Sequence, residues 1–215
     1  MRFSVLITGL TPLLVHGDPC DFSDDAVEKK KGGHPGDDRD PADKWKSYLL
    51  LDAIDQKRPD ALTMVMPTEN VNAALMFAGG KMKGSGRGSL KSESQSVMWD
   101  LPSLPLLVAG NTVTAEQIKA IDGSFDVQRA SAQKLGFDLW PKRCVVQQKR
   151  HVRVRPKLAR WSCSGACEID DADLSEAQFR MMFEIAGRRS GLGDWRPSAK
   201  KPGPYGKFEA TIKKL

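Results

Sequence analysis

A run of basic residues between Asp138 and Glu168 is the part of this sequence best suited to chemistry. The run contains no acidic residue, and its central segment alternates basic and apolar side chains. Because successive side chains of a β-strand point to opposite faces, His151, Arg153 and Arg155 would share one face. Such a row sets positive charges about 7 Å apart, which suits the phosphates of an unpaired nucleic-acid strand. We therefore predict phosphate contacts from Lys149, Arg150, His151, Arg153, Arg155, Lys157 and Arg160.

Aromatic residues lie near this basic run and could stack on nucleobases. Phe137 and Trp140 precede it, and Trp161 follows it. Stacking of one base on an aromatic ring is worth about 1–3 kcal/mol. We predict that Trp161 takes part in binding. The alternative is a solvated strand face above tryptophans that belong to the core.

A basic glycine-rich segment, Lys81–Gly88, follows a predicted helix. Its glycines would expose backbone N–H groups, which bind phosphate. The segment lacks the Gly-Lys-Ser/Thr order of a P-loop, and a flexible connector is the alternative interpretation. We predict binding contacts from Lys81, Lys83 and Arg87.

A second glycine-rich segment, Gly187–Phe208, lies between the last predicted helix and the last predicted strand. Glycine lets the backbone approach a ligand closely, although the same residues can serve only a tight helix-to-strand turn. We predict binding contacts from Arg188, Arg189, Trp195, Arg196, Lys200 and Lys201.

Acidic residues crowd into the segment between Asp18 and Asp43. A carboxylate there could hold a divalent ion at a scissile phosphate, which would make the chain a metal-dependent endoribonuclease. A solvated acidic loop is the favoured interpretation, and His151 has no acidic partner near it in the sequence. We therefore predict no catalytic residue, no metal and no cofactor, with the ribonuclease as the alternative. The residues concerned are Asp18, Asp21, Asp24 and Asp25.

The cysteines do not form a metal-binding pattern. Cys163 and Cys167 have three residues between them, and no second close pair follows. We expect reduced, unpaired thiols.

Composition limits the class of protein. The 215 residues carry a net charge of +6 and the pI is about 9.2, which weakly favours an acidic partner. No apolar run approaches the length of a membrane span, and the start of the chain lacks the layout of a signal peptide. We expect a cytoplasmic protein that does not bind membranes.

Hydrophobic periodicity and capping signals predict an α+β fold. The predicted strands are 1–15, 48–54, 62–66, 97–108 and 205–212, with a long β-hairpin of 145–155 and 158–169 around Pro156-Lys157. The predicted helices begin after Thr68, Thr114 and Ser175, while residues 123–143 show no regular pattern. This order predicts a ferredoxin-like or RNA-recognition-motif βαββαβ core in a single domain of residues 1–215. Insertions would occupy about 17–60 and about 110–165.

Two motifs give the sequence a family resemblance. Pro67-Thr68-Glu69-Asn70-Val71-Asn72-Ala73-Ala74-Leu75 resembles the strand-to-helix signature of the RAMP superfamily, the RNA-binding backbone subunits of CRISPR effector complexes. Tyr205-Gly206-Lys207-Phe208 is similar to the end of that family's C-terminal glycine-rich loop. The whole chain also resembles phage and prophage proteins with this layout.

The resemblance implies an RNA-recognition-like fold, a thumb-like hairpin and head-to-tail assembly along a strand. We therefore expect a sequence-independent binder of single-stranded RNA or DNA that forms a homo-oligomer or filament. A protein-interaction subunit of a phage or CRISPR-related assembly is a further alternative.

Overall fold

The computed structural model describes residues 1–17, 45–55, 57–84, 88–146 and 149–215, with the side chains of all of these except 143–146 and 149–151. The strands are β1 Arg2–Gly9, β2 Leu13–Leu14, β3 Leu51–Ala53, β4 Leu62–Pro67, β5 Met98–Trp99, β6 Ser103–Val108, β7 Asn111–Thr112, β8 Phe137–Val146, β9 Lys149–Leu158, β10 Trp161–Glu168 and β11 Phe208–Lys214. The α-helices are α1 Thr68–Gly79, α2 Ala115–Lys119, α3 Phe125–Lys134 and α4 Glu176–Ile185.

The larger of the two sheets in the described part of the chain follows the order β11-β1-β10-β6-β4-β3. Strand β5 pairs with β10, and β7 pairs with β6. All of these neighbours are antiparallel. The class predicted from the sequence, α+β with an antiparallel sheet, is therefore confirmed.

The alternation along β1 explains its central place in this sheet. Phe3, Val5 and Ile7 are buried, whereas Leu6 on the opposite face is 43% exposed. The buried face packs against α4, where the ring of Phe179 lies 5.2 Å from that of Phe3. Helix α1 contributes its own apolar face to the same core, so the helices cover one side of the sheet.

Capping boxes begin two of the helices, as predicted. The Thr114 hydroxyl accepts from the Gln117 amide before α2, and Ser175 accepts from Gln178 before α4. The prediction that Thr68 caps α1 is wrong. Thr68 is the first residue of that helix, and its hydroxyl instead donates to the carbonyl of Pro102 at 2.8 Å.

Helix α4 does not end at Gly187, where the sequence places its stop. The chain continues as a π-helical turn, Ala186–Ser190, and leaves it at Gly191, whose φ of 70° favours glycine. Gly187 serves close packing instead, because a Cβ there would lie 2.0 Å from the carbonyl oxygen of Phe208.

The smaller sheet has the order β2-β9-β8, and it corrects the predicted hairpin. Strand β9 pairs with β8, which precedes it in the chain. Strand β10 instead lies in the larger sheet, beside β1. Residues 123–143, expected to be irregular, hold α3 and most of β8. Pro141 hides β8 in the sequence, and the strand tolerates proline because it is the edge of its sheet.

Side-chain hydrogen bonds attach α3 to its surroundings. Gln128 accepts from the indole of Trp45 at 2.7 Å, and Arg129 forms a bidentate pair with Asp138 of β8 at 2.6 and 2.9 Å. These contacts fix β8 against the rest of the domain. In the described ranges no helix is long and apolar enough to cross a bilayer.

Candidate nucleic-acid interface

The β8–β9 pair, which we call the ribbon, has two different faces. Phe137 and Leu139 of β8 and Val154 and Leu158 of β9 are buried in the core. The register places the other set of side chains together on the opposite side, with Trp140 beside Arg155 and Lys142 beside Arg153. We call this side the outer face of the ribbon; its remaining pair is Asp138 with Lys157.

The positive row that the sequence predicts on this face is modified by an internal ion pair. The guanidinium of Arg155 contacts the carboxylate of Asp194, which belongs to the glycine-rich segment before β11. The two side chains are 18% and 32% exposed. Arg153 and Lys157 are half-buried on the same face. The cations therefore share a face, but Arg155 is directed at one of the protein's own carboxylates.

The far end of the ribbon carries the rest of the predicted basic run. The backbone pairs Val145 with Arg150 and Val146 with Lys149. The side chains of Lys149, Arg150 and His151 lie outside the described side chains, so their predicted contacts stay predictions. Arg160 is exposed just beyond the opposite end of β9.

Three half-exposed rings meet next to the outer face. The centroid of the Trp140 ring lies 6.0 Å from that of Trp195 and 5.8 Å from that of Tyr205. Trp195 and Tyr205 are themselves 5.7 Å apart, and the ammonium of Lys142 lies over both tryptophan rings. We call Trp140, Trp195 and Tyr205 the aromatic cluster. The sequence suggested stacking for Trp140 and a binding contact for Trp195 but missed Tyr205, whose only signal was its place in the Tyr-Gly-Lys-Phe motif.

The prediction that Trp161 contacts nucleic acid is wrong. This side chain is 3% exposed, and its indole nitrogen donates to the carbonyl of Thr11 at 2.9 Å. Phe137 is likewise buried, with its ring 5.9 Å from that of Trp45. On both strands this side chain lies on the face that is packed into the core.

The glycine-rich segment is fixed to β2 by backbone hydrogen bonds. The amide of Asp194 donates to Leu14, and that of Gly206 donates to Pro12, both at 2.9 Å. Gly193 and Gly206 have φ values of 71° and 70°. A Cβ on Gly206 would lie 1.8 Å from the carbonyl oxygen of Leu192. Glycine is thus required for the close approach that brings Trp195 and Tyr205 to Trp140.

The other predicted contacts of this segment divide into structural and exposed residues. Arg196 donates to the Gly193 carbonyl at 2.8 Å and to the Ser198 hydroxyl at 3.1 Å, so its guanidinium holds the loop together. Lys200 and Lys201 are exposed between the two aromatic residues of the loop. Arg188 pairs with Glu184 at 3.2 Å, while its neighbour Arg189 is exposed on the π-helical turn.

In the first glycine-rich segment, the Gly84 amide donates to the Gly88 carbonyl at 3.0 Å. Lys81 and Lys83 are exposed beyond the end of α1, and the Lys81 ammonium lies 5.5 Å from the centroid of the Phe77 ring. Arg87 lies outside the described residues. The structure gives these cations no contact with the ribbon among the residues that it describes.

A cavity of about 150 Å³ lies between β2, β4 and the glycine-rich segment. Apolar side chains that contribute to its lining include Leu13, Val65 and Met66. The polar side chains at its lining are His16, Asn70, Asp194 and Arg196. Since Asp194 also contacts Arg155, the cavity adjoins the outer face of the ribbon.

The titratable groups that the structure describes include no metal centre. Burial raises the pKa of the Cys163 thiol to about 12, and burial together with Asp100 raises that of Cys167 to about 12. Both cysteines are free. No cluster of three His, Cys, Asp or Glu side chains capable of metal binding occurs in the described ranges. The acidic loop residues Asp18, Asp21, Asp24 and Asp25 lie outside them.

The geometry therefore combines cations, half-exposed rings and a cavity around one face of the ribbon. Such a surface can contact phosphates and bases. Comparison of the chain with protein-family models and with curated proteins gives no match.

Proposed function

We propose that this protein binds single-stranded nucleic acid, without sequence preference, on the outer face of the ribbon. One observation carries the proposal: the face sets Lys142, Arg153 and Arg155 directly beside the aromatic cluster. Proteins that bind unpaired strands combine these two features, since cations follow the phosphates and rings accept bases of any sequence.

The charge balance of the face supports an anionic partner even with its internal ion pair. Four cations, Lys142, Arg153, Arg155 and Lys157, share the face with Asp138, while Asp194 reaches it from the loop. Asp138 is already neutralised by Arg129 of α3, whose hydrogen bond lowers the pKa of that carboxyl. Among the residues that the structure describes, cations on this face thus outnumber carboxylates, which supports attraction of phosphate that is strongest at low salt.

We also propose that the core is ferredoxin-like and related to the RAMP proteins. The order β11-β1-β10-β6, with α1 following β1 and α4 preceding β11, supports this proposal because it is the 4-1-3-2 order of a βαββαβ unit. The ribbon would then be the thumb-like insertion. Copies would assemble side by side along the strand, in a phage, prophage or CRISPR-related setting.

Charge removal on the outer face tests the proposed function. The triple variant Lys142→Gln, Arg153→Gln, Lys157→Gln should bind unpaired RNA or DNA more weakly whatever its sequence. It should also flatten the dependence of log Kd on log salt by about 0.7 for each lost phosphate contact. Fluorescence anisotropy of labelled oligonucleotides at several salt concentrations measures both quantities.

A matched variant removes the same charge elsewhere. Lys57→Gln, Arg58→Gln, Lys91→Gln takes three exposed cations from turns outside the ribbon. We expect its affinity and salt slope to stay near those of the unmodified protein. If both triple variants lose affinity equally, only net charge matters and the proposed face is wrong. If the unmodified protein binds no oligonucleotide at physiological salt, the proposed function is wrong.

A further inference from the structure

We infer that the cavity between β2, β4 and the glycine-rich segment receives one nucleobase of the bound strand. This inference rests on the proposed function, because the base must belong to a strand that lies on the outer face. It assigns a specific ligand group to a site that the charge and stacking arguments do not use.

The size and lining of the cavity fit a flat group that has apolar faces and a polar edge. An engineered cavity of about 150 Å³ lined by aliphatic side chains is large enough to bind benzene, and this cavity has the same volume. Leu13, Val65, Met66 and Leu106 form apolar walls. Small-molecule sites in proteins share this character, with a few polar groups that fix the orientation of the ligand.

The polar groups at the lining can match the edge of a base. The carboxamide of Asn70 carries a donor and an acceptor side by side, which is the pattern that base edges present. Its amide nitrogen donates to the sulfur of Met66 at 3.9 Å, and sulfur is a weak acceptor. The amide can therefore exchange that bond for one with a base at little cost. The imidazole of His16 is held in place by stacking on Tyr48, with ring centroids 4.7 Å apart.

The position of the cavity connects it to the strand. Asp194 both lines the cavity and contacts Arg155 on the outer face. Its neighbour Trp195 belongs to the aromatic cluster. On its other side, Gly193 packs so closely on Leu14 that a Cβ would lie 2.5 Å from the Leu14 carbonyl oxygen. Asp194 and Trp195 are consecutive residues of the loop. A strand whose phosphates follow the ribbon cations and whose bases meet the cluster would therefore pass next to the cavity.

Photocrosslinking locates the base directly. A uridine oligonucleotide with a single photoreactive thiouridine is bound to the full chain and irradiated, and mass spectrometry then identifies the crosslinked peptide. We expect crosslinks on residues 13–16 or on Met66. The variant Asn70→Phe, which places a ring at the lining from an exposed helix position, should abolish these crosslinks.

Affinity for an abasic strand separates the cavity from the rest of the interface. Asn70→Phe should weaken binding of the uridine oligonucleotide by about tenfold, which corresponds to roughly 1.4 kcal/mol. Its affinity for an abasic oligonucleotide of the same length should not change. The matched variant Ala73→Phe adds the same ring at an exposed position of α1 outside the lining, and it should behave like the unmodified protein.

The possible failures of the two proposals differ. Crosslinks confined to Trp140, Trp195 and Tyr205, with normal affinity in Asn70→Phe, would show that bases stay outside the cavity and would overturn this inference alone. A protein that binds neither the uridine nor the abasic oligonucleotide would overturn the proposed function, and the inference with it.

Discussion

Arg155 of β9 and Asp194 of the glycine-rich segment form an ion pair that connects the two parts of the candidate interface. Each side chain is less than one-third exposed, at 18% and 32%. The pair therefore holds the loop, with Trp195 next to Asp194, against the ribbon. It also places a negative charge where a strand would lie, so it influences both stability and binding.

The contribution of this pair to stability can be measured by a double-mutant cycle. We expect a coupling free energy of about 1–2 kcal/mol between Arg155→Gln and Asp194→Asn, because the half-buried pair is screened less than a surface pair. Urea unfolding of the two single variants and the double variant supplies the cycle. A coupling below about 0.3 kcal/mol would mean that the loop is held by its backbone hydrogen bonds alone.

The aromatic cluster should contribute to binding more than any buried tryptophan. Trp195→Ala should weaken binding of an unpaired strand about tenfold, since base stacking on one ring is worth about 1–3 kcal/mol. Trp161→Phe is the control: it should lower the free energy of unfolding by about 1–2 kcal/mol through loss of the hydrogen bond to Thr11, and leave affinity unchanged. Equal affinity losses in the two variants would contradict the assignment of the cluster.

Gly206 should be intolerant of a side chain. Gly206→Ala combines a positive φ with a Cβ only 1.8 Å from a carbonyl oxygen, so we expect about 2–3 kcal/mol of destabilisation. At Gly88 a Cβ meets nothing within 4 Å, and Gly88→Ala should change stability by about 0.5 kcal/mol or less. Thermal and urea unfolding compare the two. A stable Gly206→Ala protein would show that the segment can leave β2.

Asp138 should contribute stability that is lost in acid. The hydrogen bond from Arg129 lowers its pKa in the folded protein, so the contribution is full above the unfolded value of about 4. It disappears as the pH falls through the folded pKa. Asp138→Asn should be less stable by about 0.5–1 kcal/mol at neutral pH, because the pair is partly solvated. The free energies of unfolding of the two proteins, measured across the acid range, should converge as the pH falls. A difference that stays constant with pH would contradict this prediction.

Cys163 and Cys167 should resist thiol reagents in the folded state. With pKa values of about 12, about one thiol in ten thousand is ionised near pH 8, and the thiolate is the reactive form. A variant with Cys20 and Cys144 replaced by Ser isolates these two. We expect a thiol reagent to label Cys163 and Cys167 only when the protein unfolds. Labelling is followed by mass spectrometry. Rapid labelling of the native protein would show that β10 opens readily.

Local signals in the sequence predicted much of the fold correctly. The two capping boxes depend on residues three positions apart, and the alternation in β1 depends on side chains two apart, so both are visible along the chain. The shared face of Arg153 and Arg155 follows from the same alternation. In contrast, Thr68 satisfied a local capping pattern but found a distant acceptor, the carbonyl of Pro102.

The partners of these elements were decided only by the tertiary structure. Pairing of β9 with β8 rather than β10 depends on which strands meet in space, and β8 can contain Pro141 because it is an edge strand. Several contacts of the candidate interface and core are made between residues that are far apart in the chain. They are the hydrogen bond from buried Trp161 to Thr11, the contact of Trp140 with Tyr205, and the Arg155–Asp194 pair. Sequence patterns report only the environment that a residue's near neighbours create. The three-dimensional path of the backbone therefore determined which cations and rings form one surface.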